Sequence, residues 1–412
     1  MSQSILVIGG GFGGITAALE AAEVGHEVYL VEKNPYLGGR VMQLNKYFPK
    51  LCPPSCGLEI QFQRIKRNPN ITCLTLSEVI SVSGQPGNYE VAVRIKPRCT
   101  AGNSADLSAL ASELSRDIPN EFEFELSTRK ALYMDVPFAF PQRYTLDRDN
   151  LDESDRKKLA KHEAIRLDDK EKTITLNCGS IIVATGWKPY DVTNLTNLGA
   201  GKLPNCITNM QMERLAAPSG PTAGSITRPS DGKPPKKVAF VQCAGSRDEN
   251  HLPYCSYICC MASLKQAQYV REQLPESEVA IFYIDLRTPG RYENFSKKIL
   301  ADEKVKAVKG KVAAVEEDLA SQGIWVTAED AVAGNKLVEC FDLVVLATGM
   351  QPSLSGLPLP MDVSMDESGF LTGGEERGIF SVGCAKEPLD VMKSAQSGTS
   401  AAMQAIQTVR GR

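Results

Sequence analysis

The sequence predicts an α/β protein made of two Rossmann-like dinucleotide-binding domains, the first of them discontinuous. Three observations carry this. Residues 5–32 read as a strand, a glycine-rich turn, a helix and a second strand; a unit of the same shape starts at Lys237; and two near-identical strands ending in Ala-Thr-Gly, at 181–186 and 343–349, bracket that second unit. Strands alternating with helices imply a parallel sheet covered on both faces. With 412 residues the chain can form two or three domains, each able to bury a core without disulfides or metal. A composition of 42% hydrophobic and 23% charged residues excludes collagen-like, coiled-coil and wholly disordered chains, and a net charge of −3 gives no reason to expect nucleic acid.

Taken in order, Ile5 to Ile8 is a continuous apolar strand, and Ile15 to Val24 a helix with Ile15, Ala18, Leu19 and Ala22 on one face. Between them, Gly9-x-Gly11-x-x-Gly14 supplies glycine for a tight turn, for close backbone approach to a pyrophosphate and for close helix–strand packing. The phosphates would rest on the helix amino terminus. After Gly25 the second strand ends at Glu32, followed by Lys33, where a carboxylate can bind a ribose hydroxyl. The choice of FAD over NAD rests on Gly38-Gly39-Arg40, on Thr185-Gly186 and Gly349 closing the repeated strands, and on Gly378-Ile379-Phe380-Ser381-Val382-Gly383. These features resemble the flavoprotein disulfide reductases, of which thioredoxin reductase is the simplest type. That superfamily usually ends its last motif in Gly-Asp, whereas Cys384 follows Gly383 here; Asp390 is the expected substitute, at the start of a helix whose positive end would favour the reduced flavin.

The second unit keeps the strand-turn-helix shape through Lys237–Val241, a helix from near Cys260 to Gln273, and a strand at 279–284, but it has lost the glycine fingerprint. In its place stand Gln242-Cys243-Ala244-Gly245-Ser246-Arg247 and Tyr254-Cys255-Ser256-Tyr257-Ile258-Cys259-Cys260-Met261, so NAD binding is not expected there. Four thiols at 243, 255, 259 and 260 have the number and softness for an iron–sulfur cluster or a four-cysteine zinc site; a redox disulfide and inert thiols are the other readings of the spacing. The expected domains are therefore 1–195 with 341–412, carrying a charged insertion at about 99–172, and 196–340. The Pro- and Gly-rich segment 214–237 is expected to pack little, and residues 146–172 to form a solvated helical surface.

The segments Tyr47-Phe48-Pro49-Lys50-Leu51-Cys52-Pro53-Pro54-Ser55-Cys56-Gly57, Arg129-Lys130-Ala131-Leu132-Tyr133, Val136-Pro137-Phe138-Ala139-Phe140-Pro141 and the cysteine turn at 243–261 resemble the flavin subunit of heterodisulfide reductase, the HdrA-like family. Within it the length, and Tyr47-Phe48-Pro49-Lys50-Leu51-Cys52 followed by Ser55-Cys56-Gly57-Leu58-Glu59-Ile60, look most like QmoA, the HdrA relative in the quinone-interacting membrane-bound oxidoreductase complex of sulfate reducers. The resemblance implies a [4Fe–4S] cluster on Cys243, Cys255, Cys259 and Cys260. Ferredoxin-like Cys-x-x-Cys-x-x-Cys segments of the methanogen type are absent, and Cys99 stands alone, so electrons are expected to continue into a partner. Implied partners are a second HdrA-like flavoprotein subunit, a membrane subunit exchanging electrons with menaquinol, and adenylylsulfate reductase.

Cys52 and Cys56 read equally as a redox dithiol, as further cluster ligands or as structural thiols, and Lys46 as a cation near flavin N5 or a surface lysine. The function expected is FAD and iron–sulfur electron transfer, against an NAD(P)H-dependent disulfide reductase using Cys52 and Cys56, or a scaffold with structural FAD. No basic leader precedes the first strand and no apolar run approaches the roughly 20 residues of a membrane span, so a cytoplasmic protein is expected, touching a membrane only through partners. Its 12 cysteines would then be kept reduced.

Overall fold

The computed structural model describes residues 2–101, 107–318, 323–357 and 360–411. It divides into two compact units, the first formed by Met1–Trp187, Pro352–Glu387 and Val391–Arg412, the second by Lys188–Gln351 with Pro388–Asp390.

The first unit is built on a five-stranded parallel sheet in the order Ile379–Ser381, Ser180–Val183, Ile5–Ile8, Val28–Val31, Ile71–Leu74. The strands read as unbroken apolar runs because helices cover one face and an antiparallel layer, Lys172–Cys178, Asn88–Ile95 and Ser77–Gln85, supplies apolar neighbours to the other. Helix Phe12–Glu23 lies against helix Val391–Val409 at glycine contacts: a Cβ on Gly398 would meet the Gly13 carbonyl oxygen at 2.4 Å. The charged insertion has a core of its own, including Cys99, Leu114, Leu132, Leu146, Leu159 and Ile165. Only Glu153–Leu159 of the expected 146–172 helical surface is α-helix, started by Asp152, whose carboxylate accepts from the Asp155 amide at 2.8 Å.

The second unit repeats the plan. Its parallel sheet runs Cys206–Thr208, Leu343–Thr348, Lys237–Ala244, Glu278–Tyr283, Val305–Lys309, beside an antiparallel layer of Val312–Asp318, Gly323–Asp330 and Asn335–Phe341. Helix Cys259–Gln273 follows the central strand Lys237–Ala244. Two expectations are corrected. Strand Leu343–Thr348 belongs to this sheet, so the chain re-enters the first unit at Pro352 and not near 341. The segment 214–237, far from packing little, buries Arg214 and Ile226 and is tied down by Arg228, which pairs with Asp231 and with Asp342 at 3.5 Å. Proline and glycine set its backbone, but scattered anchors of this kind leave no periodic signal.

Among the described residues no helix is long and apolar enough to cross a membrane.

Candidate functional site

In the first unit the glycine turn forms a cradle at the end of strand Ile5–Ile8. Gly9 has φ +110°, and a Cβ there would meet the Ala184 carbonyl oxygen at 2.2 Å; a Cβ on Gly14 would meet the Gly9 carbonyl oxygen at 1.9 Å. Backbone packing thus fills the space at both ends of the motif. Gly11 differs: a Cβ there would find only the Gly39 Cα, at 3.9 Å. Gly11 is also the N-cap of helix Phe12–Glu23, with no side-chain cap and no acidic residue in the first turn, so the helix presents unscreened amides and positive dipole to this open space. The Gly38-Gly39 segment lies directly over it, the Gly38 amide donating to the Gly10 carbonyl at 2.7 Å.

Glu32 is buried, its two carboxylate oxygens accepting from the Gly10 amide at 2.7 Å and the Asn34 amide at 2.8 Å. Burial pushes its carboxyl up, against the pull of those amides. It therefore shapes the turn. Lys33 is exposed beside it. Arg40 donates to the Trp187 carbonyl at 3.1 Å and to Gln43 at 2.9 Å, its guanidinium near the rings of Phe124 and Trp187. Thr185 has a buried hydroxyl without a partner, and Gly186 and Gly383 adopt φ +69° and +61°. An open glycine cradle, an uncapped helix end and an orphaned hydroxyl at the ends of adjacent parallel strands fit a bound dinucleotide.

Near this cradle, the Tyr47 ring stands 6.2 Å from that of Phe12, the first residue of the glycine-loop helix. Its hydroxyl lies over Gly57, where a Cβ would meet it at 2.0 Å. Cys52 is half-buried and Cys56, in the first turn of helix Pro54–Arg67, exposed. A hydrogen bond to Cys52 pushes the Cys56 thiol up from its ordinary value, which places the two side chains in contact. Lys46 is half-buried just before Tyr47.

Two of the residues expected at the flavin fall in the second unit. Gly349 lies in the second unit, where a Cβ would meet Leu252 at 2.5 Å and the Ser246 hydroxyl at 2.7 Å; its strand occupies there the place that Ser180–Val183 occupies in the first sheet. Asp390 groups with the second unit, while Gly383 belongs to the first.

The cysteine turn occupies in the second unit the position that the glycine turn holds in the first, between central strand and helix. The strand breaks register after Val241, and Cys243, Arg247 and Tyr257 all take left-handed φ of 55°, 56° and 67°, an unusual concentration for residues with side chains. Ser246 and Ser256 share a hydrogen bond of 2.7 Å that staples the two halves of the turn, and Ser256 accepts from the Met350 amide at 2.8 Å. Cys259 and Cys260 open helix Cys259–Gln273, whose N-cap is uncapped by any side chain. Cys259 lies within electrostatic reach of Cys243, Cys260 and Cys255. Burial is the main reason the thiols are pushed up, Cys243 to about 11, Cys259 well above its ordinary value, Cys260 also upward.

Among the described residues no three such groups converge on a point that would hold a single metal ion. The Cys259 and Cys260 thiols instead donate to the carbonyls of Thr348 at 3.8 Å and Asp285 at 3.6 Å. A cubane distributes its thiolates over four irons, so its ligands ring the cluster and do not meet at one centre. All four cysteines are free, and Gln242, next to Cys243, has a buried amide with neither end partnered. Four soft thiol donors at one turn that, among the described residues, do not converge on a single point fit a cluster better than a lone zinc.

Sequence reasoning missed the segment Asp285 to Arg287. The Arg287 side chain lies within electrostatic reach of Cys255, the Asp285 carbonyl accepts from the Cys260 thiol, and the Asp285 carboxylate pairs with Arg247 and, at 3.3 Å, with Arg287. The parallel strand Glu278–Tyr283 delivers this segment from about 25 residues along the chain, and nothing local to the cysteines announces it.

A family model described as FAD dependent oxidoreductase matches residues 4–46. The chain is 37% identical over 420 residues to an A-type iron-sulfur subunit of the CoB–CoM heterodisulfide reductase of Methanopyrus kandleri, covering 98% of the chain and 64% of that protein. It is 40% identical over 359 residues to the corresponding iron-sulfur subunit of Methanocaldococcus jannaschii, covering 85% and 54%. It is 35% identical over 433 residues to the A-type subunit of the H(2):CoB-CoM heterodisulfide,ferredoxin reductase of Methanothermobacter marburgensis, covering 100% and 65%. The chain thus spans somewhat less than two thirds of the length of these relatives. Among solved structures, thioredoxin reductase of Lactococcus lactis aligns with TM-score 0.55 and 14% identity over 100% of both chains. The bacillithiol disulfide reductase Bdr of Bacillus cereus gives 0.54 and 14%, again over 100% of both, a likeness of fold alone.

Proposed function

The chain is a homologue of HdrA, the iron–sulfur subunit of heterodisulfide reductase, along its length, and from that premise we propose that it is an oxidoreductase subunit carrying FAD in its first unit and a [4Fe–4S] cluster in its second. FAD, when bound, exchanges electrons in pairs or singly, and a cluster exchanges them one at a time. The chain's own residues do the rest. Gly9, Gly11 and Gly14 leave the pyrophosphate a backbone-lined cradle, and Glu32 holds the turn and offers the ribose an acceptor. Gly39 and Arg40 close over the cradle, and Thr185, Gly186 and Gly383 line the ends of neighbouring strands. Cys243, Cys255, Cys259 and Cys260 hold the cluster. The observation that carries the reading is the grouping of four free cysteines, Cys259 and Cys260 buried and Cys243 and Cys255 half-buried, at the place where a nicotinamide-binding fold would keep its glycine loop.

Within this family we assign the chain to a complex of the quinone-interacting membrane-bound type, on the strength of the Tyr47–Cys56 segment. Its partners would then be a second HdrA-like flavoprotein subunit, a membrane subunit working with menaquinol, and adenylylsulfate reductase, so that it sits at the inner face of the cytoplasmic membrane through other subunits. A second reading, disulfide reduction by Cys52 and Cys56, is favoured by the contact of those thiols and disfavoured by the cysteine-filled second turn.

Anaerobic reconstitution of the purified chain with iron and sulfide, followed by EPR and iron analysis, tests the main reading. Cys255→Ser and Cys259→Ser should lose or convert the cluster while flavin content holds, with Cys178→Ser and Cys340→Ser as unaffected controls. Full iron and an unchanged signal in both ligand variants would overturn the assignment. Rapid bleaching of the flavin by NADH or NADPH would favour the disulfide reductase.

A further inference from the structure

Two arginines reach the cysteine set from different parts of the chain. Arg247, inside the turn, lies within electrostatic reach of Cys243, and Arg287, beyond the next strand, within electrostatic reach of Cys255. One carboxylate, Asp285, engages both, and the same residue's carbonyl accepts the Cys260 thiol. Asp248, adjacent to Arg247, is engaged elsewhere by Lys311 at 2.8 Å. Counting Arg247, Arg287 and Asp285, the brace carries one net positive charge against the thiol set.

Ion pairs this exposed contribute little to stability, since the side chains of Asp285 and Arg287 are each 48% accessible. A role in holding the fold together therefore explains them poorly. Their geometry toward sulfur explains them better, because the potential of an iron–sulfur centre follows its net charge, the hydrogen bonds to its sulfurs and its exposure. Reduction adds one electron and no proton, making the thiolate-bound centre one charge more negative. Any cation held at the sulfurs favours the reduced form. The left-handed backbone of Arg247, φ 56°, is the kind of local strain that persists where a side chain must be aimed.

We propose that Arg247 and Arg287, positioned by Asp285, raise the reduction potential of the cluster held by Cys243, Cys255, Cys259 and Cys260 and so set how readily that centre accepts an electron. This rests on the cluster assignment above. Arg247 and Arg287 act through their charge; Asp285 is a positioning residue.

The test is an EPR-monitored redox titration of the reconstituted full chain, with iron, sulfide and flavin content measured on each sample. In Arg247→Gln and Arg287→Gln, at full iron and flavin content, the ratio of reduced to oxidised cluster at a fixed ambient potential should fall about tenfold, and further in the double variant. Arg287→Lys should recover most of the loss by keeping the charge. Asp285→Asn should also lower the ratio, although it removes a negative charge, and Asp285→Glu should restore it. Unmoved potentials in both glutamine variants would overturn the proposal. So would loss of iron in Arg287→Gln with full loading of Arg287→Lys, since the arginine would then serve assembly alone. A wild-type chain that takes up no cluster overturns the underlying assignment instead.

Discussion

The glycine turn of the first unit and the cysteine turn of the second occupy one topological position, between the central strand of a five-stranded parallel sheet and the helix that follows. They use it in opposite ways. The first removes side chains until the backbone itself is the binding surface: Gly9 and Gly14 touch carbonyl oxygens, and Gly11 faces open space. The second inserts side chains, and bends the backbone into left-handed conformations at Cys243, Arg247 and Tyr257 to aim them. A strand-to-helix turn offers amides and a positive helix end in either case. Whether it receives a phosphate or a thiolate-bound metal depends on what the loop residues carry.

The sharpest way to break this comparison is Gly14→Ala. The added carbon would sit 1.9 Å from a backbone oxygen that cannot move away, so a loss of about 3 kcal/mol or more of stability and of flavin retention is expected by thermal melting and absorbance. Iron uptake by the second turn should survive wherever the chain folds; equal loss of both cofactors would show that the turns are not independent.

Glu32→Gln should have the next largest effect, about 1–3 kcal/mol, because the Gly10 or Asn34 amide loses its carboxylate partner. It also predicts a change with pH. Burial raises the Glu32 carboxyl, so the folded chain keeps a proton that the unfolded chain has released. Its contribution to stability is therefore greatest on the acid side and declines as pH rises from the ordinary carboxylate range through the raised value. Denaturant melts across that range should show the decline in wild type and a flatter profile in the glutamine variant.

Gly349→Ala should be mildest. Its new carbon would meet the ends of Leu252 and Ser246, which can rotate, so about 1 kcal/mol is expected, together with disturbed iron binding through the Ser246–Ser256 staple and intact flavin. Loss of flavin with iron unchanged would return Gly349 to the first turn's function.

How much of this is legible in the sequence follows from the same contrast. The glycine turn is readable because a backbone constraint fixes residue type and spacing together, and the carboxylate at Glu32 falls where the second strand ends. The four cysteines are readable as a set, but the arginine brace is not, since Arg287 reaches Cys255 only through the pairing of parallel strands. The two Ala-Thr-Gly strands mislead for an instructive reason. Ser180–Val183 and Leu343–Thr348 each neighbour the central strand of their own sheet, so the repeat marks a shared place in two sheets and not two visits to one. The insertion core around Leu132, Leu146 and Leu159 is invisible to periodicity, because short irregular segments build it.

The interrupted path of the first unit has a consequence for biosynthesis. Strand Ile379–Ser381 and helix Val391–Val409 complete a sheet begun at Ile5, while the second unit is almost entirely one continuous stretch, Lys188–Gln351. During translation the later-encoded unit can therefore close first, and the earlier-encoded one must wait, its sheet edge unpaired and its glycine-loop helix without the neighbour that packs on it. The waiting half is then the part of the nascent chain that exposes apolar surface longest.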